Sequence, residues 1–258
     1  MHTNQSSPKA SSSTIKDGFG LLKCFTQNSP LLGNKELSDL CGLPPSTVAR
    51  ITQTFCELGL LVKVERYRKY RLGYGALTLA YPVLANMRER HLARRFMKEL
   101  TDQTGGQTSM AVLHQLDAVY VESFRPEEHW LSKPEVGTTR PALHTAIGHA
   151  LLYSLESKKF NYLMSLAKEN LGKKFPATRS QILDSFTQIE KKGFCAVRGT
   201  YRPELHAVAV PLTKKQSDNP IAFNLSLKAY DKAPPLDEFG IKLVELRDRT
   251  NDELGTEL

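Results

Sequence analysis

The sequence predicts an α+β chain. A winged helix-turn-helix leads through a linker helix into a mostly antiparallel sheet flanked by helices. Three observations carry this. Residues 34–59 hold two short amphipathic stretches around Gly42. Residues 60–73, LLVKVERYRKYRLG, alternate on either side of a basic turn. Beyond residue 90, helical periodicity brackets a run of strand-like segments.

The opening residues, MHTNQSSPKASS, lack the apolar core of a signal peptide. They read as a disordered arm over 1–13. A first helix is expected over 14–26, with Phe19, Leu22 and Phe25 inward, and residues 27–33 form a loop. The second helix starts near Asn34 as cap, with Glu36 in its first turn and Leu37, Leu40 and Cys41 at helical spacing. Gly42 interrupts, and Pro44 with Pro45 restarts the chain as a third helix that ends at Gly59. Its apolar stripe is Val48, Ile51, Phe55 and Leu58; its polar face carries Thr47, Arg50 and Gln53, suited to a major groove. Ser46 or Thr47 can cap this helix or place a hydroxyl on a phosphate. In the hairpin that follows, Val62 and Val64 alternate, as do Tyr70 and Leu72, and the tip holds Arg66, Arg68 and Lys69. Such a basic wing lies along phosphates or reaches a minor groove; the alternative is a solvated surface hairpin. The DNA-binding domain is thus expected over 14–75.

A linker helix is expected over 76–90, with Leu77, Leu84 and Met87 toward one side and Pro82 kinking it or shifting its start. Its apolar residues pack on a partner subunit or on their own domain. Specific operators usually present two half-sites, so a homodimer is the functional expectation.

Charge agrees with this division. The chain has 35 Lys plus Arg against 27 Asp plus Glu, a formal net charge of +8. Residues 1–90 carry 12 against 6, and residues 91–258 carry 23 against 21. The basic excess therefore lies with the expected DNA reader. Cys24, Cys41, Cys56 and Cys195 include no CxxC pair, which fits reduced thiols and a cytoplasmic setting. No apolar run spans a membrane. There is no Walker A pattern, GxGxxG, HExxH or GxSxG, and His144 and His149 stand five apart, off a shared helix face. No catalytic residue, metal ligand or cofactor is expected.

The effector domain is expected over 91–258. A helix runs over 91–104 with Leu92, Phe96 and Leu100 inward, stopped by Gly105 and Gly106. Strands over 108–114 and 118–124 form a hairpin turning at 115–117. Irregular chain over 132–144 leads into a helix over 144–155, where Ala146, Gly148 and Ala150 allow close packing. Further helices are expected over 160–168 and 181–192, strands over 195–201, 205–212 and 221–227, a turn at 217–220, and a last helix over 236–254. The sheet leaves a cup. Asn224 and Ser226, two apart, share a face toward it; Thr108 and Ser109 add hydroxyls; His144 and Thr145 stand at a helix N-terminus. With Arg140 or His206 near, the cup suits a carboxylate. The alternative for each residue is ordinary strand or capping chemistry.

These pieces resemble the IclR family of bacterial transcription regulators. The resemblance rests on ELSDLCGLPPSTVARITQTFCELGLL, KYRLG, VGTTRPALHTAIGHALL, KKGFCAV and AVAVPL, in that order, and covers roughly residues 14–255. It implies a winged helix-turn-helix, a linker helix and a GAF-like effector-binding domain. It also implies dimers that often pair into tetramers, promoter DNA as partner, and organic or aromatic carboxylic acids as effectors. Carried over by position, Pro45, Ser46, Thr47 and Arg50 fall on the recognition-helix motif; Gly137, Pro141 and His144 on the pocket-side turn; Asn224 and Ser226 on the pocket strand. The chain departs from the family pattern where acidic residues become Gly199 and Thr200, a glycine becomes Glu204, a cysteine becomes Ala207 and a lysine becomes His149. These departures imply an unusual, larger or differently charged ligand, or a closed cup answered by a protein partner. The reading is an effector-controlled, sequence-specific DNA-binding regulator, with repression and activation not distinguished. The alternatives are an effector-independent architectural DNA-binding protein, or an enzyme or metal-binding protein using the C-terminal domain.

Overall fold

The computed structural model describes residues 13–126, 135–212, 217–229 and 235–256. The expected arm lies almost wholly outside them. The chain divides into two compact units, 1–86 and 87–258.

The N-terminal unit is all helix apart from one hairpin. Helices α1 (Ser13–Lys23), α2 (Asn34–Cys41) and α3 (Pro45–Glu57) precede strands β1 (Leu61–Val64) and β2 (Lys69–Leu72), then helix α4 (Gly75–Ala85). The core is Leu21, Phe25, Leu32, Leu37, Val48, Ile51 and Leu61. Phe19, Leu40 and Leu58, expected inside, are exposed. The inward row is Gly18 and Leu21 of α1, continued by Phe25 just past its end, which rotates Phe19 outward. Gly18 is part of that row because a Cβ there would come within 2.9 Å of the Phe55 ring. In α2, Leu37 and Cys41 turn inward and Leu40 turns away. The α2 cap is Gly33, not Asn34: the Gly33 N–H donates to Glu36 Oε2 at 2.7 Å. Gly42 ends α2 at φ +65°, a left-handed conformation that favours glycine, so the helix-turn-helix turns there.

The expected single helix over 76–90 is two helices. α4 ends at Ala85, where the Asn86 side-chain amide donates to the Pro82 carbonyl at 2.7 Å, and α5 begins at Arg88.

The C-terminal unit comprises α5 (Arg88–Thr104), β3 (Gln107–His114), β4 (Asp117–Phe124), β5 (Thr139–Pro141), α6 (Ala146–Tyr153), α7 (Ser157–Leu171), α8 (Phe175–Lys192), β6 (Cys195–Arg198), β7 (Leu205–Pro211), β8 (Ile221–Lys228) and α9 (Leu236–Thr256). The strands order as β5-β4-β3-β8-β7-β6, each antiparallel to its neighbours. α5 and α9 cover one face; α6 and α8 cover the other. The α6 face is lined by small residues, Ala111, Ala118, Ala209, Ala222 and Cys195, which let α6 approach closely. Gly148 answers from the helix: a Cβ there would meet the Ala142 carbonyl oxygen at 2.1 Å.

One irregularity matters for the site. Met110 pairs with Glu122 but Ala111 pairs with Tyr120, so Val121 is an extra residue in β4. This bulge puts Tyr120 on the α6 face and Glu122 on the α5 face. There Arg90 Nη2 and Arg94 Nη1 each stand 2.9 Å from Glu122 Oε2, and Arg90 Nε donates to the Val121 carbonyl at 2.9 Å.

Candidate DNA interface and effector pocket

In the N-terminal unit, Val48, Ile51 and Thr52 anchor α3, and Thr52 donates to the Val48 carbonyl at 2.9 Å. Pro45, Ser46, Arg50 and Gln53 are exposed and Thr47 is half-buried, so the expected polar face exists. Gln53 spends its amide on Glu57 Oε1 at 3.1 Å. At the hairpin tip Arg66 and Arg68 are exposed, with Arg66 stacked 5.4 Å from the Tyr67 ring centre. Lys69 differs: its Nζ lies 2.6 Å from Glu36 Oε1, so it ties the wing to α2. That bond, followed by the Gly33 backbone bond, holds the Glu36 carboxyl below the usual range. Lys69 is a brace first, and Arg66 and Arg68 carry the wing's open positive charge.

In the C-terminal unit a pocket opens beyond the N-terminus of α6. Its enclosed volume is about 50 Å3, inside a hollow of about 510 Å3 that includes its mouth. The floor is sheet: Gln107, Tyr120, Val197, Ala207, Asn224 and Ser226. Register explains this set, because Gln107 pairs with Ser226, Ser226 with Ala207, and Ala207 with Val197. Arg140, His144, Thr145 and Ala146 form the wall; Thr200, Tyr201 and Leu205 close the side. Thr145 caps α6 by accepting from the Gly148 N–H at 3.3 Å. The lining holds no carboxylate.

Of the expected effector residues, His144, Thr145, Ala207, Asn224 and Ser226 line this pocket. The others do not. Thr108 faces α5, where the Thr101 hydroxyl donates to it at 3.0 Å. Ser109 shares the pocket face but is sealed against Ser123, hydroxyl to hydroxyl, at 3.0 Å. Gly137 is exposed at φ +86°; its N–H donates to the Tyr120 carbonyl at 2.8 Å, so it anchors the loop before β5. Pro141 is exposed. His206 lies one residue from Ala207 on β7 and so points to the opposite face. Gln107, Tyr120 and Tyr201 were not among the expected residues, and Thr200 was singled out only as a departure from the family pattern. Cross-strand parity from Ser226 leads to Gln107; no periodic signal marks Tyr201, which sits in a loop.

The electrostatics favour an anion. Arg140 stacks 5.6 Å from the Tyr201 ring centre, and its Nη1 donates to the Thr139 carbonyl at 2.9 Å. Burial, then the positive charge of Lys174, lowers the His144 pKa. Burial pushes the Tyr120 phenol far up, so it stays a neutral hydrogen-bonding group. Asn224 is buried; its Nδ2 donates to Ser226 Oγ at 2.8 Å, while Oδ1 has no hydrogen-bond partner. An acceptor left open beside a pocket awaits a donor.

His149, at the family's lysine position, is not in the pocket. It is 1 % exposed, with Nε2 3.1 Å from the Leu143 carbonyl and Nδ1 2.7 Å from Ser185 Oγ. A carbonyl only accepts, so Nε2 carries the proton and Nδ1 accepts from the serine. Burial holds its pKa down to about 4.

No helix among the described residues is long and apolar enough to cross a membrane. The profile described as the IclR helix-turn-helix domain matches residues 15–65. That described as bacterial transcriptional regulator IclR C-terminal matches residues 82–232. The HTH-type transcriptional regulator TsaQ1/TsaQ2 of Comamonas testosteroni is 28 % identical over 234 residues, covering 86 % of this chain and 84 % of that protein. The crystal structure of an IclR family transcriptional regulator from Brucella abortus superposes with a TM-score of 0.83 at 25 % identity, covering 98 % of this chain and 96 % of that one. An IclR homologue from Microbacterium hydrocarbonoxydans, complexed with 4-hydroxybenzoate, shares the fold at a TM-score of 0.75 and 18 % identity, covering 94 % and 99 %. With a DNA-binding helix-turn-helix at one end and an effector-binding domain at the other, the chain belongs to the IclR family of bacterial transcriptional regulators.

Proposed function

We propose that the protein binds promoter DNA sequence-specifically through α3 and the wing, and that a small organic acid in the α6 pocket alters that binding. The observation that carries the effector reading is the pocket's charge: Arg140 and a helix N-terminus line it, and no carboxylate does. Asn224 Oδ1 adds a place for a hydroxyl on the acid. The Microbacterium relative's complex with 4-hydroxybenzoate, a hydroxylated carboxylate, is consistent with this chemistry. In this reading the DNA-binding domain covers 14–75, the link 76–90 and the effector domain 91–258, with no catalytic role.

The working form is a homodimer. Support comes from α4, where Leu77, Leu79, Tyr81 and Val83 are all more than 60 % exposed and no α4 residue is buried. Ile15 and Phe19 add apolar surface on α1. A soluble chain seldom leaves so much aliphatic surface uncovered.

Footprinting of the DNA around the protein's own gene tests the first half. A protected site at low salt, strengthened or weakened by the added organic acid, is expected; no protected site would sink the regulator reading. Calorimetry with short aliphatic and hydroxybenzoic acids tests the second half, and saturable binding lost in Arg140→Gln is expected. Sedimentation of the free protein tests the dimer.

A further inference from the structure

We propose that Cys24 and Cys41 form a dithiol–disulfide site, oxidised by low-molecular-weight disulfides to an intramolecular staple between α1 and α2. Their sulfur atoms lie 3.2 Å apart, and both residues are half-buried, so they are open to a small reagent. Cys24 sits one residue past the end of α1, and Cys41 is the last residue of α2. The pair is separated by 17 positions, so closure ties two helices and not one turn. A disulfide needs the sulfurs about 1 Å closer than they are, a movement within side-chain reach. Cys56 provides an internal control. It is also half-buried in this cluster, but it has no thiol neighbour among the described residues.

The chemistry balances with glutathione disulfide as the oxidant. One protein thiolate attacks a glutathione sulfur, forming a mixed disulfide and expelling one glutathione thiolate. The second protein thiolate then attacks the protein sulfur of that mixed disulfide. The Cys24–Cys41 bond forms and the second glutathione leaves. Two electrons pass from the protein to the oxidant, and the two thiol protons go to the expelled thiolates or to solvent. Burial and the neighbouring Cys24 push the Cys41 thiol up to about 11, so closure is slow at neutral pH and accelerates as pH rises. Such a site answers prolonged oxidation, and it shelters both sulfurs from irreversible over-oxidation.

The test uses reduced full-length protein and oxidised glutathione, read by intact mass, peptide mapping and hydrogen exchange. Expected are the loss of two hydrogen masses, a Cys24–Cys41 cross-linked peptide, slower exchange across residues 13–43, and full reversal by dithiothreitol. Cys56→Ser should close like the parent. Cys24→Ser and Cys41→Ser should each stop at one glutathione adduct on the remaining partner. The proposal is overturned if the parent stops at mixed adducts, if the link involves Cys56 or joins two chains, or if closure leaves exchange in α1 and α2 unchanged. Circular dichroism of each variant before oxidation establishes that it is folded.

Discussion

Acidification should destabilise the C-terminal unit through His149, by an amount the structure sets. Above the ordinary histidine pKa of 6.5 the ring is neutral whether the chain is folded or not. Below it, the unfolded chain takes up a proton that the folded chain refuses until about pH 4. The unfolded state then binds more protons, so stability rises with pH and is lost as pH falls from 6.5 toward 4. A gap of that size is worth about 3 kcal/mol in full, and about 2 kcal/mol is lost between pH 7 and pH 5. The cause is local. A second proton on the ring would put an N–H where Nδ1 now accepts from Ser185, in a site 1 % exposed. Urea denaturation followed by circular dichroism, at pH 7 and pH 5, measures the loss. The same pair of measurements on His149→Gln removes the titrating group, and each protein is compared with itself. Parent and variant share the losses of all other groups, so the parent should lose about 2 kcal/mol more. Equal losses in the two proteins would refute the assignment of a buried neutral imidazole.

Further outcomes follow from single contacts. Arg50→Ala should weaken operator binding by about 10- to 100-fold while leaving binding to random DNA nearly intact; an equal loss in both titrations makes Arg50 a phosphate contact. Gly148→Ala places a methyl within 2.1 Å of the Ala142 carbonyl oxygen and should cost about 3 kcal/mol in calorimetric stability. Glu122→Gln removes the buried charge facing Arg90 and Arg94 and should cost about 3 kcal/mol, read by urea denaturation. Binding of an anion beside His144, whose pKa is lowered in the free protein, should raise that pKa. Acid binding should therefore take up protons, and calorimetry in buffers of different ionisation enthalpy reads that uptake.

The helix-turn-helix was legible because its signals are local: Gly42 at a left-handed turn, Pro45 opening α3, and Val48 and Ile51 on one face. Phe19 was misplaced because an apolar residue next to Leu21 and Leu22 satisfies the same period; only packing against Phe55 distinguishes the faces. The break between α4 and α5 was hidden because Asn86 ends a helix through a side-chain bond to Pro82, not through a glycine. In the pocket, Asn224 and Ser226 were found by alternation. Thr108 and His206 were placed on the wrong face because alternation needs a register, and register comes from partners far along the chain. Tyr201 had no pattern to betray it, since a loop residue reaches a pocket by path and not by period; its neighbour Thr200 stood out only through the family resemblance.

The extra residue at Val121 offers a way to separate sensing from response. Removing it would heal the β4 ladder without changing which face Tyr120 and Glu122 occupy, because their partners Ala111 and Met110 are already adjacent. The pocket would keep its phenol. Arg90, however, would lose the carbonyl that the bulge sets free, and with it one of the bonds fastening the start of α5, the first helix after the DNA-binding unit. A chain shortened by that single residue should therefore still hold its ligand but grip its leading helix less firmly. Its effector isotherm would match the parent's while hydrogen exchange at the start of α5 would be faster.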